Sequence, residues 1–204
     1  MIKPYIKAIS YFSQDEYAAQ AANLRMSCIK WSVEHEIVPK PPFQSWKHGV
    51  RHKPQFILDT MLAMAHTAFD GFLWLDADAT IERKLPLDQL DGVQLGASYF
   101  QWSKGHPVEL LTGTMYFSNE EKTRIFVEEW VKNTALVPFH QETPEQTGLL
   151  ATLARGWGAQ ILFKDLGPEW TYIDDDAVKA MYPKANPIVK HHQFSRTFKE
   201  KERK

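Results

Sequence analysis

The chain has 204 residues, 44% of them apolar, and a net charge of −1. That length suits one α/β domain with a substantial core, and that apolar content argues against disorder. The near-zero charge gives no global case for a polyanionic partner, and a single cysteine, Cys28, excludes an intrachain disulfide.

Residues 7–12 read as a first strand. The S-x-x-E spacing of Ser13 and Glu16 then predicts a capped helix running to about Trp31, with Tyr17, Ala21, Leu24, Cys28 and Trp31 on one stripe. Cys28 falls on that stripe and reads as core. Residues 36–38 suggest a short second strand. The segment 39–54 holds four prolines and reads as a long loop, with Pro54 expected in the first turn of the next helix. Residues 72–75 are a continuous apolar run, as in a buried parallel strand. Residues 94–100 and 112–118 read as further strands, and Asn119 is placed to cap a helix reaching about Lys132. Thr143-Pro144-Glu145-Gln146 is a second capping box, opening a helix that should end at Gly156. Late strands are expected at 160–164 and 188–192. The alternation predicts an α/β fold, a mainly parallel central sheet flanked by helices.

No long apolar run opens the chain and none reaches membrane-spanning length, so the expectation is a cytoplasmic protein without a signal peptide and without membrane contact. Basic residues concentrate in 46–53 and 190–204. Either stretch could face phosphates, or simply water.

The main chemical signal is FLWLDADAT, residues 72–80. Two carboxylates, Asp76 and Asp78, follow a buried strand at spacing i, i+2, which on a strand places both on one face. They fall at the carboxyl edge of the sheet, where open α/β folds bind ligands. Adjacent carboxylates repel unless a cation or proton offsets them. Oxygen ligands favour Mg²⁺ or Mn²⁺, ions that hold phosphate oxygens.

This pattern resembles the GT-A glycosyltransferases, nucleotide-diphospho-sugar transferases whose D-x-D motif ends a central strand. Further segments resemble that family in order: HKPQFILDTML from His52, LLTGTMYFSN from Leu110, PEQTGLL from Pro144 and IVKHHQFSRTFK from Ile188. The resemblance implies one GT-A-like domain over 1–204, with a mainly nucleotide-binding part at 1–80, a mainly acceptor-side part at 81–186 and a metal- and phosphate-binding segment at 187–204. It implies a nucleotide-sugar donor, a UDP-sugar in particular, with Mn²⁺ or Mg²⁺, and transfer to a hydroxyl acceptor.

Carried over residue by residue, Asp78 binds the metal, and Asp76 binds the metal or the donor ribose. His192 is the preferred third metal ligand, with neighbouring His191 the alternative. Lys53, Arg196 and Lys199 are candidates for the diphosphate. Ser195 stands where the family has glycine, and Lys199 falls one residue late. Ser10 and Tyr11 would lie near the base, and Gly113 and Thr114 beside the donor sugar. Glu145 is the candidate catalytic carboxylate, with Gln146 beside it; a first-turn glutamate also stabilises a helix with no catalytic part. The acidic run Asp174, Asp175 and Asp176 reads as a solvated turn.

Three rival readings share the carboxylates. A haloacid-dehalogenase-like phosphatase has D-x-D-x-T, which residues 76–80 match, but there the motif opens the domain. A sugar-1-phosphate nucleotidyltransferase needs a Gly-rich loop after the first strand, and SYFSQDEY has no glycine. A non-catalytic nucleotide- or DNA-binding module is the third. The acceptor is open among a glycan, a small molecule and a hydroxymethylated DNA base of a phage, for which the basic end is the support. Oligomeric state is not legible.

Overall fold

The computed structural model describes residues 4–13 and 17–193. In chain order the elements are β1 (Ile6–Ser13), α1 (Ala18–Lys30), β2 (Glu34–Lys40), α2 (Trp46–Ala63), β3 (Gly71–Leu75), β4 (Ala79–Ile81) and β5 (Leu95–Phe100). They continue with β6 (Glu109–Ser118), α3 (Glu121–Leu136), α4 (Pro144–Ala154), β7 (Phe163–Asp165), β8 (Tyr172–Ile173), α5 (Asp176–Met181) and β9 (Val189–His191). Six strands form a central sheet in the order β2-β1-β3-β6-β5-β7, and β4, β9 and β8 form a small second sheet in the order β4-β9-β8. In the central sheet β1 runs parallel to β2 and β3, and β5 parallel to β7. Only β6 is reversed against its neighbours. The expected α/β fold with a mainly parallel sheet between helices is what forms. No helix among the described residues is long and apolar enough to cross a membrane.

Strand alternation divides the core. Ile6, Ala8 and Phe12 of β1 pack with Ala21, Leu24 and Cys28 of α1 on one side of the sheet. Ile9 and Tyr11 pack with Phe72, Trp74, Met115 and Phe117, and with the apolar faces of α2, α3 and α4, on the other. β3 is buried along its whole length, as its unbroken apolar run requires. α3 and α4 cross closely at Gly148, where a side chain would meet the Thr134 backbone.

Local chemistry departs from expectation in several places. β2 extends through Pro39 to Lys40, tolerated because β2 is an edge strand and proline there removes no ladder bond the sheet needs. α2 starts at Trp46, so Pro54 lies inside the helix rather than in its first turn. Long-range contacts hold the extra turns. The Tyr11 hydroxyl donates to Gly49 O (2.5 Å), and the Arg51 guanidinium donates to Thr134 O (2.8 Å) and Val137 O (2.9 Å) at the end of α3. The basic segment 46–53 is thus largely structural: Arg51 serves the carbonyl-rich C-terminus of α3, where a cation is favoured.

Asn119 does not cap α3; its amide donates to Met64 O (3.2 Å) and Phe69 O (3.0 Å), and Glu120 takes the cap position. Tyr17 takes the position before α1 and its side chain makes no cap bond, so the helix begins past Ser13, and Glu16 lies outside the described residues. α4 does begin with Pro144, but the Thr143 side chain makes no cap bond. α4 ends as expected before Gly156, whose φ of 104° is a backbone conformation that favours glycine. The late strands are shorter than expected, β7 starting only at Phe163. The acidic run is accounted for locally. Asp174 pairs with Lys190 (2.9 Å) and Lys179 (3.2 Å), and Asp175 caps α5 by accepting from Ala177 N (2.9 Å). Those pairings hold the Asp174 carboxyl below its usual range, the Lys190 bond first among the causes.

Candidate functional site

β3 ends at Leu75, and Asp76-Ala77-Asp78 form a turn into β4, closed by a bond from Ala79 N to Asp76 O (2.9 Å). The two carboxylates therefore converge through a turn and not through strand alternation, a different local route to the expected proximity. The second sheet supplies a third group. β9 pairs antiparallel with β4, setting His191 opposite Ala79, and His192 N donates to Asp78 O (3.1 Å). Among the described residues, Asp76, Asp78 and His191 each present a ligand atom, all within 4.8 Å of one another.

His191, not the preferred His192, is the histidine brought to the carboxylates. It is 4% exposed, with Nδ1 3.8 Å from Asp78 Oδ1 and Nε2 2.8 Å from Thr114 Oγ1. Adjacent residues on a strand face opposite ways, so His192 turns outward. Its ring is 43% exposed, 3.0 Å from the Thr80 hydroxyl and 3.9 Å from Asp174.

Asp76 is held from behind. Its Oδ1 accepts from Trp74 Nε1 (2.9 Å) and pairs with Lys53 Nζ (2.9 Å). Gly113 lies beside the outward oxygen. A Cβ there would fall 3.4 Å from Asp76 Oδ2, 3.3 Å from His191 Nδ1 and 2.9 Å from His191 Cε1. Glycine is what lets the three groups close up.

Lys53, expected at a diphosphate, is 3% exposed and points inward. Besides Asp76 it donates to Thr112 O (3.1 Å) and Thr112 Oγ1 (3.3 Å), lies over the Trp74 ring, and stands 3.9 Å from Glu145 Oε1. Glu145 is itself 4% exposed. Its Oε1 accepts from Thr112 Oγ1 (3.1 Å), while buried Oε2 has no hydrogen-bond partner among the described residues. Burial pushes the Glu145 carboxyl above its ordinary value, with Lys53 pulling the other way. Gln146 is half-buried on the same turn.

An irregularity in β6 separates these two groups of contacts. Gly96 pairs with Tyr116 but Ser98 with Leu111, so β6 spends five residues where β5 spends two. The odd surplus reverses the alternation of side chains. Thr112 consequently reaches Lys53 and Glu145 on the α2–α4 side, while Thr114 reaches His191 on the other.

Ser10 and Tyr11, expected near the base, are buried. Tyr11 packs among Phe43, His52, Phe56 and Trp74, and burial, with Asp76 and Glu145 adding to it, raises its phenol well above the usual value. Ser10 is fully buried. Ser195, Arg196 and Lys199 lie outside the described residues. The sequence assigns no role to Thr112 or Trp74. Thr112 falls inside the LLTGTMYFSN segment with no role of its own, and Trp74 reads only as part of an apolar run.

The residues fit a divalent cation. Two carboxylates and one imidazole form a hard, compact donor set, and Thr114 engages the imidazole nitrogen remote from the carboxylates.

No protein-family model matches the chain, and no curated protein does. Among solved structures, it is similar to one described as a glycosyltransferase involved in the glycosylation of the major capsid of PBCV-1. The TM-score is 0.68 at 14% identity, with 98% of this chain and 100% of that one covered. The chain therefore has the fold of a solved glycosyltransferase, superposing over almost the whole of both molecules.

Proposed function

We propose that this protein is a metal-dependent glycosyltransferase, moving a sugar from a nucleotide-sugar donor, a UDP-sugar first among those to test, to a hydroxyl acceptor. The observation that carries the reading is the meeting of Asp76, Asp78 and His191 at the carboxyl end of β3, in a fold shared with a glycosyltransferase. Asp76, Asp78 and His191 would hold the ion, and an imidazole beside two carboxylates favours Mn²⁺ over Mg²⁺. When bound, the ion neutralises charge on the donor diphosphate.

The chain's own groups prepare that site. Trp74 orients Asp76 through Oδ1, which Lys53 also holds in the metal-free protein, and Oδ2 is turned toward Gly113 and His191. In the tautomer whose Nε2–H donates to Thr114, His191 presents the lone pair of Nδ1 on the side of Asp78. Glu145 is sealed behind Lys53 and Thr112, which disfavours its action as a base on an acceptor hydroxyl. The acceptor class remains a glycan, a small molecule or a hydroxymethylated DNA base. The contacts of Asp174 and Asp175 with Lys190, Lys179 and α5 account for the acidic run that the phosphatase reading would need.

The test is a screen of nucleotide sugars by thermal shift, with MnCl₂ or with EDTA, followed by a hydrolysis assay on any ligand found. A stabilisation by one nucleotide sugar that needs Mn²⁺ supports the reading, since a ligand of the folded state raises its melting temperature. Stabilisation indifferent to EDTA, or turnover of a generic phosphate ester in place of a nucleotide sugar, would sink it.

A further inference from the structure

Lys53 sits between two carboxylates of unequal standing. Its ammonium is 2.9 Å from Asp76 Oδ1 and 3.9 Å from Glu145 Oε1, and the residue is 3% exposed. Water cannot solvate it in retreat, so any charge that competes for Asp76 must leave Lys53 another counter-ion inside the protein. Glu145 is built to be that counter-ion. It is as deeply buried as Lys53, it shares the Thr112 hydroxyl with it, and its Oε2 has no partner among the described residues. A buried carboxylate oxygen without a donor is costly unless some state of the protein satisfies it.

We propose that Lys53 is a resident cation which holds Asp76 until a divalent ion arrives, and that Glu145 is the positioning residue which then receives the Lys53 ammonium. This deepens the proposed function and rests on its reading of Asp76, Asp78 and His191 as a cation site. Two positive charges compete for Asp76, and the site binds metal only as tightly as Lys53 can be accommodated elsewhere. Trp74 keeps Asp76 oriented through the exchange, because its indole N–H does not depend on Lys53. Glu145 thus acts on the metal through Lys53 and touches no reacting atom.

The proposal predicts a coupling between two buried residues that can be read without any donor or acceptor. Mn²⁺ binding to the purified protein is measured by the EPR signal of the free ion, for wild type, Glu145→Gln, Lys53→Met, the double variant and Asp78→Asn. Glu145→Gln should bind Mn²⁺ about tenfold or more weakly, because Lys53 then has Asp76 as its sole charged partner. Lys53→Met should bind at least as tightly as wild type. Adding Glu145→Gln to Lys53→Met should change affinity by less than about twofold, since non-additivity marks residues acting through one another. Thermal melts without metal identify a variant that has not folded, and Lys53→Gln replaces Lys53→Met in that event. Equal weakening by Glu145→Gln with and without Lys53, or no weakening in either background, would overturn the proposal. A wild type that does not bind Mn²⁺, or an Asp78→Asn that binds it as well as wild type, would instead overturn the cation site itself.

Discussion

A Cβ at Gly113 would lie 2.9 Å from Cε1 of His191, closer than a carbon on real side chains comes to such a neighbour. Residue 113 belongs to the central sheet and residue 191 to the small one, so this close approach is where the two sheets meet over the carboxylates. Gly113→Ala should displace the imidazole and weaken Mn²⁺ binding by about tenfold or more, the usual cost of disturbing the groups that orient a metal ligand. The stability cost should be about 1–3 kcal/mol, as for overpacking elsewhere. Mn²⁺ titration with urea unfolding checks both, and undiminished Mn²⁺ affinity in Gly113→Ala would show that the close approach is not needed.

The two histidines should separate cleanly. His191→Ala removes the imidazole that meets Asp76 and Asp78, and should reduce Mn²⁺ affinity by about a hundredfold or more, since losing a ligand costs no less than losing a group that only orients one. His192→Ala removes an outward ring bonded to Thr80 and should change affinity by less than about twofold. The reverse pattern in the same titration would reinstate His192 as the ligand.

Glu145 makes stability depend on pH. Burial raises its carboxyl above the ordinary 4.5, so the folded protein holds that proton more tightly than the unfolded chain. Over the interval from 4.5 up to the raised native value the folded state binds more protons, and stability attributable to Glu145 falls as pH rises. Unfolding free energies of Glu145→Gln and wild type, measured in urea from pH 4 to pH 8 without metal, should therefore diverge with rising pH in favour of the variant. A difference that stays constant over the range would mean that Lys53 holds Glu145 ionised throughout.

Gly148 tests the packing behind the site. A Cβ at this position would lie 2.8 Å from both the Thr134 Cα and the Thr134 N, backbone atoms that can yield only if α3 and α4 separate. Gly148→Ala should gain about 1 kcal/mol of helix propensity and lose more to overpacking, for a net destabilisation of about 1–2 kcal/mol. A variant as stable as wild type in urea would show that the crossing has slack.

Burial of Cys28 pushes its thiol up to about 12, on the apolar face of α1. Reaction with an aromatic disulfide reagent at pH 8 should be slow in the folded protein and complete once it unfolds, because the thiolate is the nucleophile. Stoichiometric modification within seconds under native conditions would contradict this burial.

The sequence by itself determined the elements whose periodicity is unbroken. The α1 stripe, the apolar β3 and the strand–helix alternation each state locally which face is apolar, and the core must follow that pattern. It also placed Asp76 and Asp78 at the end of β3, since an apolar strand that stops abruptly at two carboxylates has reached a sheet edge. The tertiary structure decided what depended on register and on distant partners. Whether His191 or His192 turns inward is set by the pairing of β9 with β4, since a one-residue shift in register exchanges the faces. The start of α2 at Trp46 depends on Tyr11 and Arg51 reaching residues far along the chain. Lys53 and Glu145 read in sequence as surface groups near a phosphate and an acceptor, because charged residues are solvated by default. They lie inside because Lys53 finds Asp76 and Thr112 there, because Glu145 has Thr112 and Lys53 beside it, and because the β6 irregularity turns Thr112 toward both.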